Sequence, residues 1–338
     1  MLRIGNGART FADAGRFPVR NCKSHRRACP AILFTERGKN EIIMSHLHAQ
    51  GITAPPILLT IAGFDPSCGA GIAADLKTFA AHGCYGVAAI TAITVQNTQG
   101  VEAVHNTPST ELREQLDVLM KDGEIAAVKI GMLGNRANAA VVSEFLDKYK
   151  FAHVVHDPVM RSSSNTELLD AAGVKYVATE LLKRSSVITP NVPEAEILTG
   201  ITIKEVADME AAARKLVEMG AKAVIVKGGH MERAVDVVFD GKDMQPLSGD
   251  KVKFDNTHGT GCTFASALTA QLAAGRGLVE AATLAKAYVV KAIEKAYPVG
   301  KGRLPVDHFF RMRIEPLARG THEVPQHGLH PAAEPAAH

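Results

Sequence analysis

The chain has 338 residues, of which 46% are hydrophobic and 22% charged, so it is long enough to bury one large core or two modest ones. Its formal net charge is only +3, aromatic residues make up 5%, and tryptophan is absent. This composition argues against nucleic-acid or membrane partners and favours a soluble globular protein. The five cysteines include no CxxC pair, which indicates free thiols in a reducing compartment, and we expect a cytoplasmic protein.

Residues 1–53 do not show the pattern of a folded domain. Their first 40 positions are rich in arginine, contain only two acidic residues, and lack the apolar run of a secretory signal. Such a start is typical of organelle transit peptides. The alternatives are a disordered extension or upstream sequence translated because the true start is Met44, and we favour the latter. Residues 316–338 are rich in Pro, His, Ala and Gly, which predicts a disordered tail after a folded domain spanning 54–315.

Short β-rich runs alternate with amphipathic stretches between about residues 57 and 312. The first run, 57–62, is apolar throughout and ends at Gly63, which predicts a strand buried on both faces. The other predicted strands are 87–95, 127–130, 154–156, 187–189 and 223–226, and the predicted helices are 70–82, 112–120, 137–148, 209–219 and 264–274. This alternation predicts a three-layer αβα fold with a mostly parallel sheet. Runs 235–239 and 251–254 have no helix between them and predict a small antiparallel edge.

A glycine-rich segment, 62–71, ends the first strand and opens the first helix. Its sequence, AGFDPSCGAG, does not fit GxGxxG followed by an acidic residue on the next strand, which disfavours a dinucleotide-binding fold. Asp75 follows on the helix. By itself it is typical of an exposed first-turn acid that the helix dipole stabilises.

Candidate ligand-binding side chains follow three later strands. Gln96 lies at the carboxyl end of strand 87–95, where ligands bind in open α/β sheets, and its carboxamide offers a donor beside an acceptor, although it could also cap a loop. Met132 follows the strand that ends at Ile130, and its sulfur either contacts a flat ring or packs in the core. Asp157 follows strand 154–156, a position that suits Mg²⁺ or its bound waters.

Two further segments follow the last parallel strands. Asn191 and Glu194 are three residues apart around Pro193, the pattern of a helix capping box, and the same pair could hold Mg²⁺ through water. Capping and metal binding are compatible. Lys227 ends the strand 223–226 and could approach phosphate groups as a point charge.

The strongest signal is the segment Asn256–Cys262, NTHGTGC, which leads into an alanine-rich helix. Its glycines free backbone N–H groups at a helix N-terminus, which predicts an anion-binding turn suited to phosphoryl transfer. A plain glycine turn before a packing helix is the alternative. A thiol at a helix N-terminus has a lowered pKa, so Cys262 could accept or orient a hydroxyl proton, or it could be a buried structural cysteine.

Together these segments resemble the motifs of the ribokinase superfamily, and within it the hydroxymethylpyrimidine and phosphomethylpyrimidine kinases of thiamine biosynthesis. Six motifs occur in the family's order and span nearly all of residues 55–312. The anion-hole motif has Cys262 where most superfamily members have Asp. Phe64 and Cys68 stand where this family usually has Thr and Gly, and Ser162–Asn165 replaces its usual Lys-Ser-Gly.

The resemblance implies ATP- and Mg²⁺-dependent phosphorylation of 4-amino-5-hydroxymethyl-2-methylpyrimidine and then of its monophosphate. It implies that the turn is catalytic through Gly259, Thr260, Gly261 and Cys262. It implies substrate contacts from Gly63, Ala70, Asp75, Val95, Gln96 and Met132, with Asp75 facing the reacting hydroxymethyl group. It also implies nucleotide contacts from Asn191, Lys227, Asp255 and Asn256, and metal contacts from Asp157 and Glu194.

Other functions stay open. A pyridoxal kinase shares this fold and ATP site. A sugar kinase is disfavoured because a sugar pocket needs more polar groups than Met132 and Val95 offer. A non-catalytic nucleotide-binding regulator is disfavoured by the intact set of Asn191, Glu194 and Cys262. We expect a homodimer with a small-molecule substrate and no nucleic-acid or membrane partner.

Overall fold

The computed structural model describes residues 54–162, 164–229, 235–248 and 257–312. The predicted extension 1–53, the predicted tail 316–338 and the predicted strand 251–254 lie outside the described residues, as do the candidate nucleotide contacts Asp255 and Asn256.

Strands and helices alternate along the described chain, as predicted. The strands are β1 (Ile57–Phe64), β2 (Tyr85–Asn97), β3 (Gly100–Asn106), β4 (Ile125–Ile130), β5 (Val154–His156), β6 (Val187–Ile188), β7 (Val224–Val226), β8 (Val235–Phe239), β9 (Met244–Ser248), β10 (Thr257–His258) and β11 (Leu304–Pro305). The helices are α1 (Gly71–Ala81), α2 (Ser109–Leu119), α3 (Arg136–Lys148), α4 (Ala171–Tyr176), α5 (Val192–Thr199), α6 (Val206–Glu218), α7 (Thr260–Ala273) and α8 (Leu278–Glu294).

Nine strands form the main sheet in the order β3-β2-β1-β4-β5-β6-β7-β8-β9. Neighbours from β2 to β7 pair in parallel, whereas β3, β8 and β9 pair antiparallel with their neighbours. The predicted mostly parallel sheet with an antiparallel edge is therefore confirmed. The β8–β9 edge contains the predicted run 235–239, and the hairpin of β2 with β3 adds an antiparallel strand that the sequence pattern did not predict.

Both faces of the sheet are covered by helices, which completes the three layers. In β1, Leu59 packs in the larger core with α2, α3 and α6, while Leu58 packs on the opposite face with α1 and α7. The same alternation separates Val154 from Val155, which packs with α7 and α8. Successive side chains of a strand point to opposite faces, so a strand covered on both sides reads as an unbroken apolar run.

The parallel strands place the candidate site at one edge of the sheet. Their carboxyl ends point the same way, so the segments that follow them meet. These segments carry, in sheet order, Gln96, Asp65, Met132, Asp157, Asn191 and Lys227. In the part of the chain that the structure describes, no helix is both long and apolar enough to cross a bilayer.

Candidate active site

The glycine turn for which the sequence predicts anion binding lies at the N-terminus of α7. Gly259 is the N-cap of α7 with φ of 82° in the left-handed region, and its carbonyl accepts hydrogen bonds from the Thr263 backbone N–H (2.9 Å) and hydroxyl (2.8 Å). A Cβ on Gly259 would lie 1.8 Å from the Gly69 carbonyl oxygen. The turn therefore depends on glycine both for its backbone angle and for its close contact with the β1–α1 loop.

Asp65 organises the β1–α1 loop. Its carboxylate accepts hydrogen bonds from Ser67 N (2.8 Å), Ser67 Oγ (2.7 Å) and Ala70 N (2.9 Å). Burial raises the pKa of Asp65, but the hydrogen bonds from His258 and Ser67 outweigh it, so the pKa is lowered and the carboxylate is ionised. Cys68, which stands where the family usually has Gly, has φ of 58°, a left-handed conformation that glycine adopts more readily than cysteine.

Gln96 and the turn are brought together by His258. His258 Nε2 lies 3.0 Å from Asp65 Oδ2 and 3.0 Å from Gln96 Nε2, and Gln96 Oε1 lies 3.1 Å from Thr94 Oγ1. His258 directly precedes Gly259, and its ring also packs over Gly69, where a Cβ would lie 2.5 Å from His258 Cδ2. The predicted substrate amide is therefore held beside the predicted anion-binding turn.

Asp157 and Lys227 form an ion pair beside the same turn. Lys227 Nζ donates to Asp157 Oδ1 at 2.6 Å, and Thr189 Oγ1 donates to the same oxygen at 3.2 Å. A Cβ on Gly261 would lie 3.3 Å from Lys227 Nζ and 3.5 Å from Asp157 Oδ2, so both charges face the turn. Burial would lower the pKa of Lys227, but Asp157 and Glu194 raise it more, which keeps the ammonium charged.

The predicted capping box of α5 is present. Glu194 N donates to Asn191 Oδ1 at 2.9 Å, and Asn191 N donates to Glu194 Oε2 at 2.8 Å. Burial raises the pKa of Glu194 to about 7, and the nearby charge of Asp157 adds to this, while Lys227 opposes it. Glu194 is thus a buried carboxyl close to a second carboxylate, where a bound cation would favour the ionised form.

Cys262 lies in the first turn of α7 and is half-buried. Burial raises the pKa of its thiol to about 11, and Lys129 opposes this shift without cancelling it. This shift is opposite in direction to the lowered pKa that the sequence predicts, because loss of solvent outweighs the effect of the nearby lysine. In this structure Cys262 is a neutral thiol.

Asp75 lies behind the turn rather than at the protein surface. It is fully buried, and its carboxylate accepts hydrogen bonds from Thr60 Oγ1 (2.6 Å), Ser266 Oγ (2.7 Å) and Lys129 Nζ (2.8 Å). The alternative of an exposed helix acid is wrong, because Asp75 faces β1, β4 and α7 instead of solvent. With three donors on its two oxygens and no exposed surface, the carboxylate is occupied within the protein, and its contact with the reacting hydroxymethyl group stays a prediction.

Gly63 and Met132 are adjacent at the other side of the candidate site. A Cβ on Gly63 would lie 2.8 Å from Met132 Sδ, and Met132 packs with Ala92 and Leu168 while remaining 7% exposed. Ala70 is the N-cap residue of α1 and lies against Gly259. The structure does not bring Val95 into this group, because its side chain is 43% exposed, whereas Gln96 contacts His258.

Three residues of the site had no role assigned from the sequence. Lys129 sits inside the apolar run 125–130, and a lysine in a strand buried on both faces needs a charge partner, which was a usable signal. Asp65 and His258 both occur inside the motifs that led to the site. Their pairing joins positions 193 residues apart, and no local pattern predicts it.

This arrangement suits phosphoryl transfer to a small molecule. A helix N-terminus with glycines offers N–H groups to an anion, Lys227 and Asp157 face the same turn, and an amide beside it can recognise a polar ring. Within the described ranges no cluster of three or more His, Cys, Asp or Glu side chains could hold a metal ion by itself. The fold and the site together define an α/β small-molecule kinase.

Comparisons with known proteins agree with this class. The sequence model of the phosphomethylpyrimidine kinase family matches residues 65–307. The hydroxymethylpyrimidine/phosphomethylpyrimidine kinase of Aquifex aeolicus is 44% identical over 248 residues, which cover 73% of this chain and 97% of the relative. The chain therefore belongs to the phosphomethylpyrimidine kinase family.

Solved structures show the same fold. A phosphomethylpyrimidine kinase from Clostridium difficile is 40% identical with a TM-score of 0.64, covering 70% of this chain and 99% of that one. The pyridoxal kinase from Staphylococcus aureus in complex with AMP-PCP and pyridoxal is 35% identical with a TM-score of 0.71, covering 78% of this chain and 97% of that one. The ribokinase-like fold class is thereby confirmed.

Proposed function

We propose that this protein uses ATP to phosphorylate 4-amino-5-hydroxymethyl-2-methylpyrimidine and then its monophosphate, in thiamine biosynthesis. The observation that supports the proposal is the contact between Gln96 and His258, because His258 directly precedes Gly259 at the N-terminus of α7. A pyrimidine bound at Gln96 would then direct its hydroxymethyl group toward Gly261 and Cys262. Membership of the phosphomethylpyrimidine kinase family supports the pyrimidine as substrate.

The residues of the turn would act mainly by positioning and charge stabilisation. Backbone N–H groups from Gly259 to Cys262 would hold the transferring phosphoryl group, and Lys227 would neutralise part of its charge. The neutral Cys262 thiol would orient the attacking hydroxyl by a hydrogen bond. In a largely dissociative transition state the attacking hydroxyl does not need to lose its proton early. A thiol with a pKa of about 11 is therefore compatible with this role.

Magnesium fits the donor set through bound water. Asp157 lies beside Gly261, and Glu194 is close enough to Asp157 and Lys227 to interact with their charges. Mg²⁺ commonly binds through one or two carboxylates, phosphate oxygens and several waters. Burial is the main cause of the pKa of about 7 at Glu194, and a cation bound beside it would lower that pKa and favour the ionised carboxylate. We assign Asp157 and Glu194 to the metal and Asn191 and Lys227 to the nucleotide. The bound ion would neutralise phosphate charge.

Pyridoxal is the second candidate substrate, because the S. aureus pyridoxal kinase shares 35% identity and the fold. An acceptor screen separates the two. Purified protein is incubated with ATP and Mg²⁺ plus hydroxymethylpyrimidine, its monophosphate, or pyridoxal, and ADP and phosphorylated product are quantified together. The proposal expects the highest kcat/KM with hydroxymethylpyrimidine and a second transfer to the monophosphate. Product from pyridoxal alone would establish the alternative, and ATP hydrolysis without acceptor product would contradict a kinase.

The oligomeric state and the cellular compartment are also part of this proposal. We propose a homodimer that uses the outer face of the β2–β3 hairpin, where Ile93 and Val95 are 51% and 43% exposed. Light scattering of the wild type against an Ile93→Ser/Val95→Ser variant tests this, with loss of the dimer expected only in the variant. Use of ATP and a free thiol at Cys262 favour the cytoplasm.

A further inference from the structure

The Gln96 carboxamide is oriented with its NH2 group toward His258 Nε2. This orientation conflicts with the hydrogen bond between His258 and Asp65, because it sets two donors against each other. Asp65 is an ionised carboxylate, which only accepts hydrogen bonds, so His258 Nε2 must carry the hydrogen that lies between them. The same nitrogen cannot then accept from Gln96 Nε2, 3.0 Å away.

A half-turn of the Gln96 carboxamide removes the conflict completely. The amide oxygen then accepts from His258 Nε2–H, which it shares with Asp65. The amide nitrogen then donates to Thr94 Oγ1, and the Thr94 hydroxyl donates to the Phe64 carbonyl at 3.0 Å. No donor then faces a donor and no acceptor faces an acceptor, and the two ends of a carboxamide are assigned by such partners.

We infer that His258, held by Asp65, is a positioning residue that fixes the Gln96 carboxamide and so selects which donor–acceptor order a ring edge must present. The inference rests on the proposed role of Gln96 as the ring-recognising amide. His258 and Asp65 are not placed in contact with the reacting atoms.

The fixed orientation matches an aminopyrimidine. His258 precedes Gly259, so the amide oxygen lies on the side of the turn and the amide nitrogen lies toward Thr94. In the proposed substrate the 4-amino group adjoins the hydroxymethyl group that must reach the turn, and ring nitrogen N3 lies beyond it. The oxygen therefore meets the amino donor, and the nitrogen meets the N3 acceptor. A 4-oxo ring presents the reverse order, with an acceptor at position 4 and a donor at N3.

The test compares two ligands on three proteins. Isothermal titration measures the affinity of the wild type, His258→Leu and His258→Gln for the 4-amino pyrimidine and for its 4-oxo analogue. We expect the wild type to favour the 4-amino ring by about 100-fold, since the analogue would oppose donor to donor and acceptor to acceptor. In His258→Leu the Gln96 amide is free to turn, so the preference for the 4-amino ring should fall at least tenfold. His258→Gln keeps an N–H donor near the position of Nε2, so it should retain most of the wild-type preference.

A purely structural role for His258 predicts a different result, in which His258→Leu weakens both ligands equally and the preference is unchanged. That outcome would overturn the inference. Thr94→Val provides a second variant that removes the partner at the other end of the amide, and it should also reduce the preference. Thr78→Val is the matched control, because that buried hydroxyl bonds to Ala74 O within α1, and it should leave the preference unchanged.

The tautomer of His258 is measurable in the wild type without any ligand. Long-range ¹H–¹⁵N NMR should show a neutral or charged ring with hydrogen on Nε2, and a neutral ring protonated only on Nδ1 would overturn the inference. The NMR measurement also separates the proposed role of Gln96 in substrate binding from the positioning role of His258. Unchanged pyrimidine affinity in Gln96→Ala would refute the proposed function of Gln96, while the His258 tautomer would still report the Asp65 contact.

Discussion

The buried ion pair of Lys129 with Asp75 should dominate the stability of the core behind the turn. Both side chains are fully buried, and Lys129 Nζ lies 2.8 Å from Asp75 Oδ2. Replacing Lys129 by Met keeps the length of the side chain but leaves the Asp75 carboxylate with only the hydroxyls of Thr60 and Ser266. An uncompensated buried charge costs about 3–5 kcal/mol, so Lys129→Met should lower the free energy of unfolding by that amount.

Two controls make this prediction specific. The double variant Lys129→Met/Asp75→Leu removes both charges and should recover most of the loss, because apolar replacement of a buried pair is often close to neutral. Arg113→Ala breaks an exposed pair with Glu144, whose side chains are 47% and 59% exposed, and should cost less than about 1 kcal/mol. Urea unfolding at 25 °C measures all three. A loss in Lys129→Met no larger than in Arg113→Ala, or no recovery in the double variant, would show that the buried pair does not stabilise the core in this way.

Three further predictions concern single positions. Burial lowers the pKa of His308 from 6.5 to about 4, so the folded protein keeps the ring neutral. The stability that depends on the neutral ring is fully present above pH 6.5 and is lost as the pH falls toward 4. In urea unfolding, His308→Gln should reduce the drop in the free energy of unfolding over that pH range by up to about 3 kcal/mol. Cys68→Gly should raise the free energy of unfolding by about 1 kcal/mol, because glycine takes φ of 58° without strain, and a lower thermal midpoint would count against this. Gly259→Ala should reduce kcat at least 100-fold, because its Cβ would lie 1.8 Å from Gly69 O; turnover within threefold of wild type would show that the turn tolerates a Cβ.

The sequence predicted the elements whose burial is uniform and missed those whose signal is mixed. β1 and β4 are buried on both faces, so their apolar runs stand out. β3 is partly exposed without a regular alternation, and among the described strands it pairs with β2 alone, so its strand character comes from the hairpin rather than from its own pattern. α8 packs mainly through alanines, which give weak contrast between its faces.

Some features of the candidate site could likewise be predicted from the sequence, and others could not. Residues next to strand ends, such as Gln96 and Asp157, could be placed because parallel strands end at one edge. The direction of the Cys262 pKa could not, since it depends on how much solvent the folded protein removes. The pairing of Asp75 with Lys129 joins two buried charges 54 residues apart, and only the folded core reveals it.

The amide of Gln96 and the thiol-bearing turn should act on one small molecule. Steady-state kinetics and calorimetric affinity for hydroxymethylpyrimidine, measured on Gln96→Ala and Cys262→Ala, test it most directly. We predict that Gln96→Ala weakens affinity by about 10- to 100-fold, whereas Cys262→Ala lowers kcat by about 100-fold or more and changes affinity less than threefold. Unchanged affinity in Gln96→Ala together with near-normal turnover in Cys262→Ala would show that these two residues do not act on the substrate as proposed.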